Sequence, residues 1–445
     1  MRLLFKPRDS KYIGEGTLPF GTFDDTKEWQ PITKCLEKGA EVFPDKPMFK
    51  VADKDGKISE TYSFKETNKW ANKIANGLRQ KFGVKKGDKV GMYMLNCAEY
   101  VVSIIAIHKV GGVQVPINKD EKGERLAYVI NYSDMVVLII DPDSLPFIQD
   151  IAKDLTNLKT IFITGDPKDV PDNIKGIKVL PFSVFNDFSL DNPAVDVTIA
   201  DPERCMFTSG TTGMPKGVAR NHGGVVLTVR AYLQQQGVRS GDTLMSVLSL
   251  GHANAQVMCL FSAMAAGATA VFHPRFSASS FWKWATECGA TCVNMLGAVA
   301  EYLWAAPPSE WDKKHKVRIM LGSPAPRNLH EFQERFGVRV IDGYGSTEMG
   351  MVLWKDPEDH RPGSSGYSME GYHVELRDPQ DTNKVLRPFW DPYENPTPPE
   401  EVKGLLYIKP LIPHTTLNEY FKDARRTREA FDDDGFFNSD DLFAR

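Results

Sequence analysis

The order of apolar and polar positions predicts alternating helices and strands in the first part of the chain. Apolar side chains recur at helical spacing within residues 62–82, and Gly83 ends this pattern, which predicts an amphipathic surface helix. Other helical patterns lie at 32–42, 98–110 and 124–132. Short, mainly apolar runs predict strands at 48–51, 89–95, 113–117, 135–140 and 160–164. Buried strands separated by helices are typical of a parallel sheet covered on both faces.

The same alternation returns in the second half of the chain without a visible sequence repeat. Strands are predicted at 243–248, 269–272, 291–295, 317–321 and 338–341. Helices are predicted after His252 and at 277–288, 298–304 and 329–336. The expected fold class is therefore α/β, with two doubly wound, mostly parallel sheets and flanking helices.

Changes in composition and period divide the chain into three expected subdomains. Residues 165–202 are rich in Pro, Asp and Asn, which predicts a subdomain boundary. Past Pro362 the period changes to two, as at 373–376 and 405–408, which predicts a small β subdomain with a proline-rich acidic loop. The expected units are an N-terminal α/β subdomain (1–200), a second α/β subdomain (201–362) and the small β subdomain (363–445).

Composition excludes several classes of function. The 445 residues suffice for two or three domain-sized units, and a formal charge of −4 gives no broad basic field for nucleic acid. No stretch approaches the ~20 apolar residues of a membrane span, and the N-terminus lacks the apolar core of a signal peptide. The expected location is therefore cytoplasmic. Six scattered cysteines predict reduced thiols, and Cys288 and Cys292 lack further ligands at metal-site spacing.

One loop carries the strongest chemical signal. It reads Thr208-Ser209-Gly210-Thr211-Thr212-Gly213-Met214-Pro215-Lys216-Gly217. Glycines allow backbone N–H groups to approach phosphate oxygens, hydroxyls donate hydrogen bonds and lysine supplies a charge, so the loop is a candidate phosphate-binding loop. A Walker-type loop is disfavoured because Pro215 and Gly217 flank Lys216. The structural alternative is a flexible surface turn.

This loop resembles the phosphate-binding signature of the adenylate-forming superfamily, which contains acyl-CoA synthetases, luciferases and the adenylation domains of peptide synthetases. A second segment, Tyr344-Gly345-Ser346-Thr347-Glu348, resembles the adenine and magnesium motif of the same superfamily. The resemblance implies ATP, Mg²⁺ and coenzyme A as cofactors and a small carboxylic acid as substrate. In the implied reaction the carboxylate attacks the α-phosphate of ATP, pyrophosphate leaves, and a thiol then displaces AMP.

The resemblance also implies a role for each motif residue. Thr208, Ser209, Thr211, Thr212 and Lys216 would hold the β- and γ-phosphates, in a loop that includes Gly210 and Gly213. Thr347 would reach the α-phosphate, Glu348 would bind Mg²⁺, and Tyr344 would lie against the adenine. Further nucleotide contacts are expected from Pro324, Ala325, Pro326, Asp342, Gly343 and Asp441. Asp441 would accept hydrogen bonds from both ribose hydroxyls, although Ser439 and Asp440 replace the family's Thr and Gly, and Ser323-Pro324 replace two glycines.

The expected acyl pocket is less specific. His252 occupies the position that gates this pocket in the family, and it joins Lys216, Thr347 and Glu348 as a candidate catalytic residue. Gly297, Gly345 and Met349 are the candidate lining residues. The structural alternative for His252 is a helix cap or a packing residue. No Asp lies between Ser246 and Gln256 to pair with an ammonium group, which favours a substrate without an α-amino group.

Scattered segments resemble the carnitine and crotonobetaine CoA ligase branch. They are 281–284, 335–339 and 418–421. Family members continue past the segment that ends here at Arg445, through a hinge, into a smaller mobile domain. The chain therefore resembles the N-terminal portion, and slow or absent thioester formation is expected of it. Two alternatives stay open: an adenylating enzyme that loads a carrier-protein thiol, and a nucleotide- or acyl-binding module without turnover. The resemblance also leaves a homodimer open.

Overall fold

The computed structural model describes residues 29–165, 170–208, 213–355, 363–387 and 402–444. Its α-helices are α1 (Thr33–Val42), α2 (Phe64–Gln80), α3 (Ala98–Lys109), α4 (Gly123–Tyr132), α5 (Leu145–Ile151), α6 (His222–Gln236), α7 (Ser262–Ala266), α8 (Phe281–Glu287), α9 (Gly297–Ala305), α10 (Leu329–Phe336) and α11 (Ala424–Glu429). A π-helical turn, Ala255–Phe261, precedes α7.

The strands of the first half are β1 (Pro47–Ala52), β2 (Ile58–Ser63), β3 (Lys89–Tyr93), β4 (Val113–Pro116), β5 (Val137–Ile140), β6 (Thr160–Ile163), β7 (Asn173–Ile174), β8 (Ile177–Pro181), β9 (Pro202–Thr208) and β10 (Lys216–Asn221). Those of the second half are β11 (Thr243–Ser246), β12 (Thr269–Phe272), β13 (Cys292–Leu296), β14 (Ile319–Ser323), β15 (Arg339–Ile341), β16 (Gly343–Ser346), β17 (Gly350–Trp354), β18 (Tyr367–Ser368), β19 (Tyr372–Arg377), β20 (Val385–Arg387), β21 (Lys403–Pro410), β22 (Leu417–Tyr420) and β23 (Phe437–Ala444).

Two large sheets dominate the described part of the chain. One has nine strands in the order β22-β10-β9-β4-β3-β5-β6-β8-β7, and the other has seven in the order β15-β14-β13-β11-β12-β1-β2. Neighbours from β4 to β8 are parallel, as are those from β15 to β1, and a helical segment connects most of the strands that follow one another in the chain. The predicted α/β fold class is therefore confirmed.

Each of the two large sheets contains strands from both sides of residue 200. β1 pairs in parallel with β12, whereas β9 pairs with β4 and β10. The segment 165–202, which predicted a boundary, contributes β7 and β8 to the nine-stranded sheet. The division into three subdomains stays a prediction.

Two smaller antiparallel sheets follow. One contains β16, β17 and β18, and the other has the order β20-β19-β21-β23. The period-two runs at 373–376 and 405–408 fall in β19 and β21, which pair with each other. Most of the predicted acidic loop, residues 388–401, lies outside the described residues.

The main apolar cluster joins both large sheets to the helices that pack on them. It contains Met92 of β3, Ala270 of β12 and nearly every apolar residue of α3 and α6. Burying one aliphatic side chain of this kind contributes about 1.5–3 kcal/mol. α6 was not predicted, because a helix that is buried on all sides has no polar face to give it a period.

The start of α2 is fixed by a reciprocal cap. The Ser63 hydroxyl accepts a hydrogen bond from the Glu66 backbone N–H (3.2 Å), and the Glu66 carboxylate accepts one from the Ser63 N–H (2.8 Å). Ser63→Ala is expected to cost about 1 kcal/mol, because it leaves an N–H of the first turn without its partner. Hydrogen exchange of the amides at 64–67 should accelerate about fivefold. Ser63→Thr keeps the hydroxyl and should leave the exchange rate unchanged; equal rates in all three proteins would contradict the assignment of the cap.

Within the described ranges, none of the helices combines the length and apolar composition needed to cross a membrane.

Candidate active site

The phosphate-loop candidate joins two antiparallel strands of the nine-stranded sheet. Thr208 at the end of β9 pairs with Lys216 at the start of β10, so the intervening residues connect the ends of a hairpin. Ser209, Gly210, Thr211 and Thr212 lie outside the described residues, while Gly213 is exposed to solvent. The Thr208 hydroxyl oxygen is buried and makes no hydrogen bond among the described residues. A ligand that entered this loop would meet the Thr208 hydroxyl and the Lys216 ammonium.

The second motif forms the turn of the β16–β17 hairpin. Ser346 pairs with Gly350, and Thr347, Glu348 and Met349 lie between them. A Cβ at Gly345 would lie 2.3 Å from the carbonyl oxygen of Gly350, so only glycine fits this close approach of two strands. The tight turn holds Glu348 in a nearly buried position, 8% exposed.

The two motifs meet at a partly buried ion pair. Lys216 Nζ lies 2.8 Å from Glu348 Oε1 although 132 positions separate the residues in the chain. The Tyr420 hydroxyl donates a hydrogen bond to the same oxygen at 2.9 Å. Burial raises the pKa of Glu348, but the hydrogen bonds and charge of Lys216, with the Tyr420 hydroxyl, outweigh it and hold the pKa below its usual value. Glu348 is therefore ionised at neutral pH.

Mg²⁺ fits this carboxylate. Magnesium in nucleotide sites is usually held by one or two carboxylates together with substrate phosphates rather than by a cage of protein ligands. Among the described residues, no group of three or more His, Cys, Asp or Glu side chains could form such a cage. A single ionised carboxylate beside the end of the phosphate-loop hairpin has the chemistry that a magnesium–nucleotide complex requires.

Arg220 ties these elements together, and the sequence did not single it out. It lies on β10 four residues after Lys216, so the two side chains share one face of the strand. Its guanidinium donates to the Thr415 carbonyl (2.8 Å) and to the Thr347 carbonyl (3.4 Å). Burial lowers the pKa of Arg220 to about 10, so it stays charged at neutral pH. The signal that could have found it is the even spacing of Lys216 and Arg220, which places two cations on the same face of a strand.

Tyr344 and Asp441 also come together. The Tyr344 hydroxyl on β16 donates a hydrogen bond to the Asp441 carboxylate on β23, and the Tyr344 ring packs edge-on against Phe443 with centroids 4.9 Å apart. Burial, with the Asp441 carboxylate, raises the pKa of Tyr344. Asp440 has a φ of 59°, in the left-handed region that favours glycine. The residue that replaces the family's glycine thus keeps a glycine-like backbone.

The loop at 323–326, which contains the expected nucleotide contacts Pro324, Ala325 and Pro326, is anchored to Asp342. The Asp342 carboxylate accepts hydrogen bonds from the N–H of Ala325 (3.1 Å) and from its neighbour Gly343 (2.7 Å). Burial raises the pKa of Asp342, and these N–H groups oppose that rise. The Ser323–Pro324 peptide bond is cis, Pro324 is exposed, and Pro326 is buried. Pro324 lies so near Gly297 that a Cβ there would be 3.0 Å from the proline ring.

The remaining acyl-pocket candidates are dispersed. His252 is exposed in the turn before the π-helical segment, and its backbone N–H donates to the Ser249 carbonyl. No hydrogen bond or ion pair joins it to Lys216 or Glu348 within the described part of the chain. Met349 is fully buried in the main apolar cluster, so its side chain packs in the core. The roles predicted for these residues stay predictions.

Comparison with known proteins defines the class. The sequence profile of the family described as AMP-binding enzyme matches residues 36–409. The chain belongs to the AMP-binding enzyme family. A crotonobetaine/carnitine–CoA ligase from Escherichia coli is 28% identical over 422 residues, which cover 93% of this chain and 77% of that protein. The resemblance to the adenylate-forming superfamily, and to its carnitine CoA ligase branch, is thereby confirmed.

Solved structures share the fold. The anthranilate CoA ligase AuaEII in complex with anthranoyl-AMP has a TM-score of 0.81 at 24% identity, over 93% of this chain and 75% of that one. The N-terminal domain of FACL13 from Mycobacterium tuberculosis has a TM-score of 0.76 at 24% identity, over 93% of this chain and 96% of that one. At this identity the likeness establishes the fold alone.

Proposed function

We propose that this protein is an AMP-forming acid–CoA ligase that adenylates a carboxylic acid without an α-amino group. The observation that carries the proposal is the 2.8 Å contact between Lys216 and Glu348. The two residues belong to motifs that resemble separate signatures of one superfamily, and their meeting at one site is what a shared nucleotide would require. The curated relatives act on crotonobetaine or carnitine, which supports small acids of that kind as candidates.

The proposed phosphate site is built from charge and hydroxyl groups. Lys216 and Thr208 bind the β- and γ-phosphates, and Thr347 binds the α-phosphate. Glu348 is the protein ligand for Mg²⁺, which would neutralise phosphate charge when bound. Phosphoryl chemistry of this type depends on alignment and charge stabilisation more than on a protein nucleophile. The buried, ionised state of Glu348 supports this assignment.

The proposed nucleoside site lies between β16, β23 and the loop at 323–326. Tyr344 stacks on the adenine, and Asp441 accepts hydrogen bonds from the ribose hydroxyls. The Asp441 carboxylate accepts one hydrogen bond from Tyr344. Its remaining lone pairs can still accept hydrogen bonds from a diol. His252 would gate the acid, and coenzyme A would be the thiol that displaces AMP.

ATP–pyrophosphate exchange across a panel of acids tests the proposal. The panel holds carnitine, crotonobetaine, aliphatic and aryl acids and, as a negative control, α-amino acids. Exchange is expected with one class of acid without an α-amino group, and Glu348→Ala should abolish it by removing the carboxylate ligand. Glu419→Ala, an exposed carboxylate next to Tyr420 in sequence, is the matched control and should exchange as the wild type does. Absence of both exchange and nucleotide binding in the wild type would refute the proposal.

A further inference from the structure

Tyr420 is held against the candidate site from a distant part of the chain. It ends β22, which pairs with β10 so that Tyr420 lies opposite Val218, two residues after Lys216. Its backbone N–H donates to the Thr427 hydroxyl (2.9 Å) at the following helix, α11. The side chain is 6% exposed. Strand pairing and the helix contact therefore fix both the position and the burial of the phenol.

The phenol contacts both members of the ion pair. Its hydroxyl donates to Glu348 Oε1 at 2.9 Å, and Lys216 Nζ lies 3.4 Å from that hydroxyl and 4.7 Å from the ring centre. On the ring, Arg426 adds a second cation at 5.3 Å. Cations near an aromatic ring are attracted to its face. Tyr420 thus anchors the carboxylate through its hydroxyl and the ammonium through its ring.

The hydroxyl can act only as a donor to the carboxylate at neutral pH. A phenol has an ordinary pKa of about 10, so the Tyr420 hydroxyl keeps the proton that it donates to Glu348 Oε1. The Lys216 ammonium, 2.8 Å from the same oxygen, pairs with Glu348 as a carboxylate. The hydrogen bond is therefore of the charge-assisted kind, which is stronger than a bond between neutral groups.

Lys216 has two competing partners under the proposed function. In this structure it pairs with Glu348, whereas a bound triphosphate would offer more negative charge and would draw the ammonium away. Glu348 would then keep only one of its two donors to Oε1, the Tyr420 hydroxyl, while it bound Mg²⁺. A carboxylate with no remaining donor could rotate among its side-chain rotamers, and fixing it again would cost conformational entropy.

We propose that Tyr420 is a positioning residue for the metal ligand: its hydroxyl keeps hold of Glu348 Oε1 while Lys216 transfers to the nucleotide phosphates. The second oxygen of the carboxylate then stays oriented for Mg²⁺. This inference rests on the proposed function, and it assigns to Tyr420 no contact with substrate. Its signature is a change in the magnesium requirement of nucleotide binding, separate from nucleotide affinity itself.

Calorimetric titration of ATP at a series of Mg²⁺ concentrations tests this role in the Tyr420→Phe variant. The Mg²⁺ concentration that gives half of the metal-dependent gain in ATP affinity is expected to rise about tenfold, since a hydrogen bond to a charged group is lost. ATP affinity without metal should stay within about twofold of wild type, because the ring under Lys216 is kept. Paramagnetic resonance of Mn²⁺ added with ATP gives an independent measure of metal affinity, and the same rise is expected there.

Tyr132→Phe is the matched control. The Tyr132 hydroxyl donates to the Phe421 carbonyl at 2.9 Å, so this variant also removes a phenol hydrogen bond from the 420–421 segment but leaves Glu348 untouched. Its magnesium requirement should equal that of wild type. An unchanged requirement in Tyr420→Phe, or an equal rise in Tyr132→Phe, would overturn the role of Tyr420 alone. A wild-type protein that binds no ATP at any Mg²⁺ concentration would instead overturn the proposed function.

Discussion

Lys216→Met is expected to slow ATP-dependent adenylation about 100- to 1,000-fold, the usual cost of removing one preorganised charge-stabilising donor. Lys216 is the cation that the structure holds at the end of the phosphate-loop hairpin, 25% exposed in its side chain and pointing at Glu348. Methionine keeps much of the length of the side chain and loses the charge. The measurement is the rate of ATP–pyrophosphate exchange at saturating acid and Mg²⁺.

The same substitution should alter the pH dependence of the exchange. In the wild type Lys216 holds the pKa of Glu348 below its ordinary value of 4.5 against the effect of burial. Without the ammonium, burial dominates, so the pKa of Glu348 rises and the carboxylate is protonated at a higher pH. Measured as kcat/KM for ATP, which reports the free enzyme in which Lys216 pairs with Glu348, the acidic limit of the remaining exchange activity should therefore move to higher pH in Lys216→Met than in the wild type.

Lys89→Met separates this effect from the loss of any cation near an aromatic ring. Lys89 Nζ lies 4.7 Å from the Phe421 ring centre, the same distance as Lys216 Nζ from the Tyr420 ring. The control should exchange at the wild-type rate with the wild-type pH limit. An active Lys216→Met, with no shift of the pH limit, would show that Lys216 serves the hairpin and not the nucleotide.

The sequence predicted elements best where one face of an element is buried and the other is exposed. The helix at 329–336 has the predicted bounds, and the helix predicted at 62–82 spans Phe64–Gln80. Apolar periodicity is strong in these segments because burial alternates along them. The helix predicted at 277–288 begins later, at Phe281, since Ser277–Ser280 form turns ahead of it.

Elements buried on all sides, or paired across long distances, gave no such signal. α6 has no polar face. β10 was not predicted, because the glycine and the polar residues of its motif interrupt the apolar pattern of a strand. β22 reaches its partner β10 across about 200 residues, which no local pattern encodes. Arg220 and Tyr420 contribute to the site only through these pairings, so the sequence did not single out either residue's role.

The motif residues were predicted by type and order, and the structure adds their contacts. Lys216 meets Glu348, and Tyr344 meets Asp441, although each pair is about 100 or more positions apart. Their roles toward a nucleotide stay predictions. Met349 was expected to line an acyl pocket because of its motif position; its side chain packs in the main apolar cluster, and the role stays a prediction.

A second cluster of ionisable residues, separate from the candidate site, lies in the core. Glu203 is fully buried on β9, with its carboxylate 3.0 Å from Arg204 Nε and 3.3 Å from His108 Nε2. Gln114 on β4 donates to it at 3.4 Å. Burial raises the pKa of Glu203, but the Arg204 charge, with His108 and His222, holds it below its usual value. The carboxylate is therefore ionised inside the core at neutral pH.

Glu203→Gln is expected to lower the free energy of unfolding by about 3–5 kcal/mol, because a buried cation loses the partner that offsets its desolvation. The side chain keeps its shape, so the loss reports the charge and not a cavity. The measurement is denaturant-induced unfolding at neutral pH. Glu41→Gln is the control: its pair with Lys38 is exposed, and its loss should change stability by no more than about 0.5 kcal/mol.

Acidification should weaken the wild-type core through the same cluster. Burial, with the nearby His108, lowers the pKa of His222 from 6.5 to about 3. The unfolded chain therefore takes up a proton below pH 6.5 that the folded protein refuses, and stability falls as pH drops towards 3. Glu203 acts in the same direction, since its depressed pKa stabilises the fold only while the carboxylate is ionised. If Glu203→Gln were as stable as the wild type at neutral pH, with the same loss on acidification, the buried carboxylate would contribute no net stability and apolar packing alone would hold β4, β9 and α3 together.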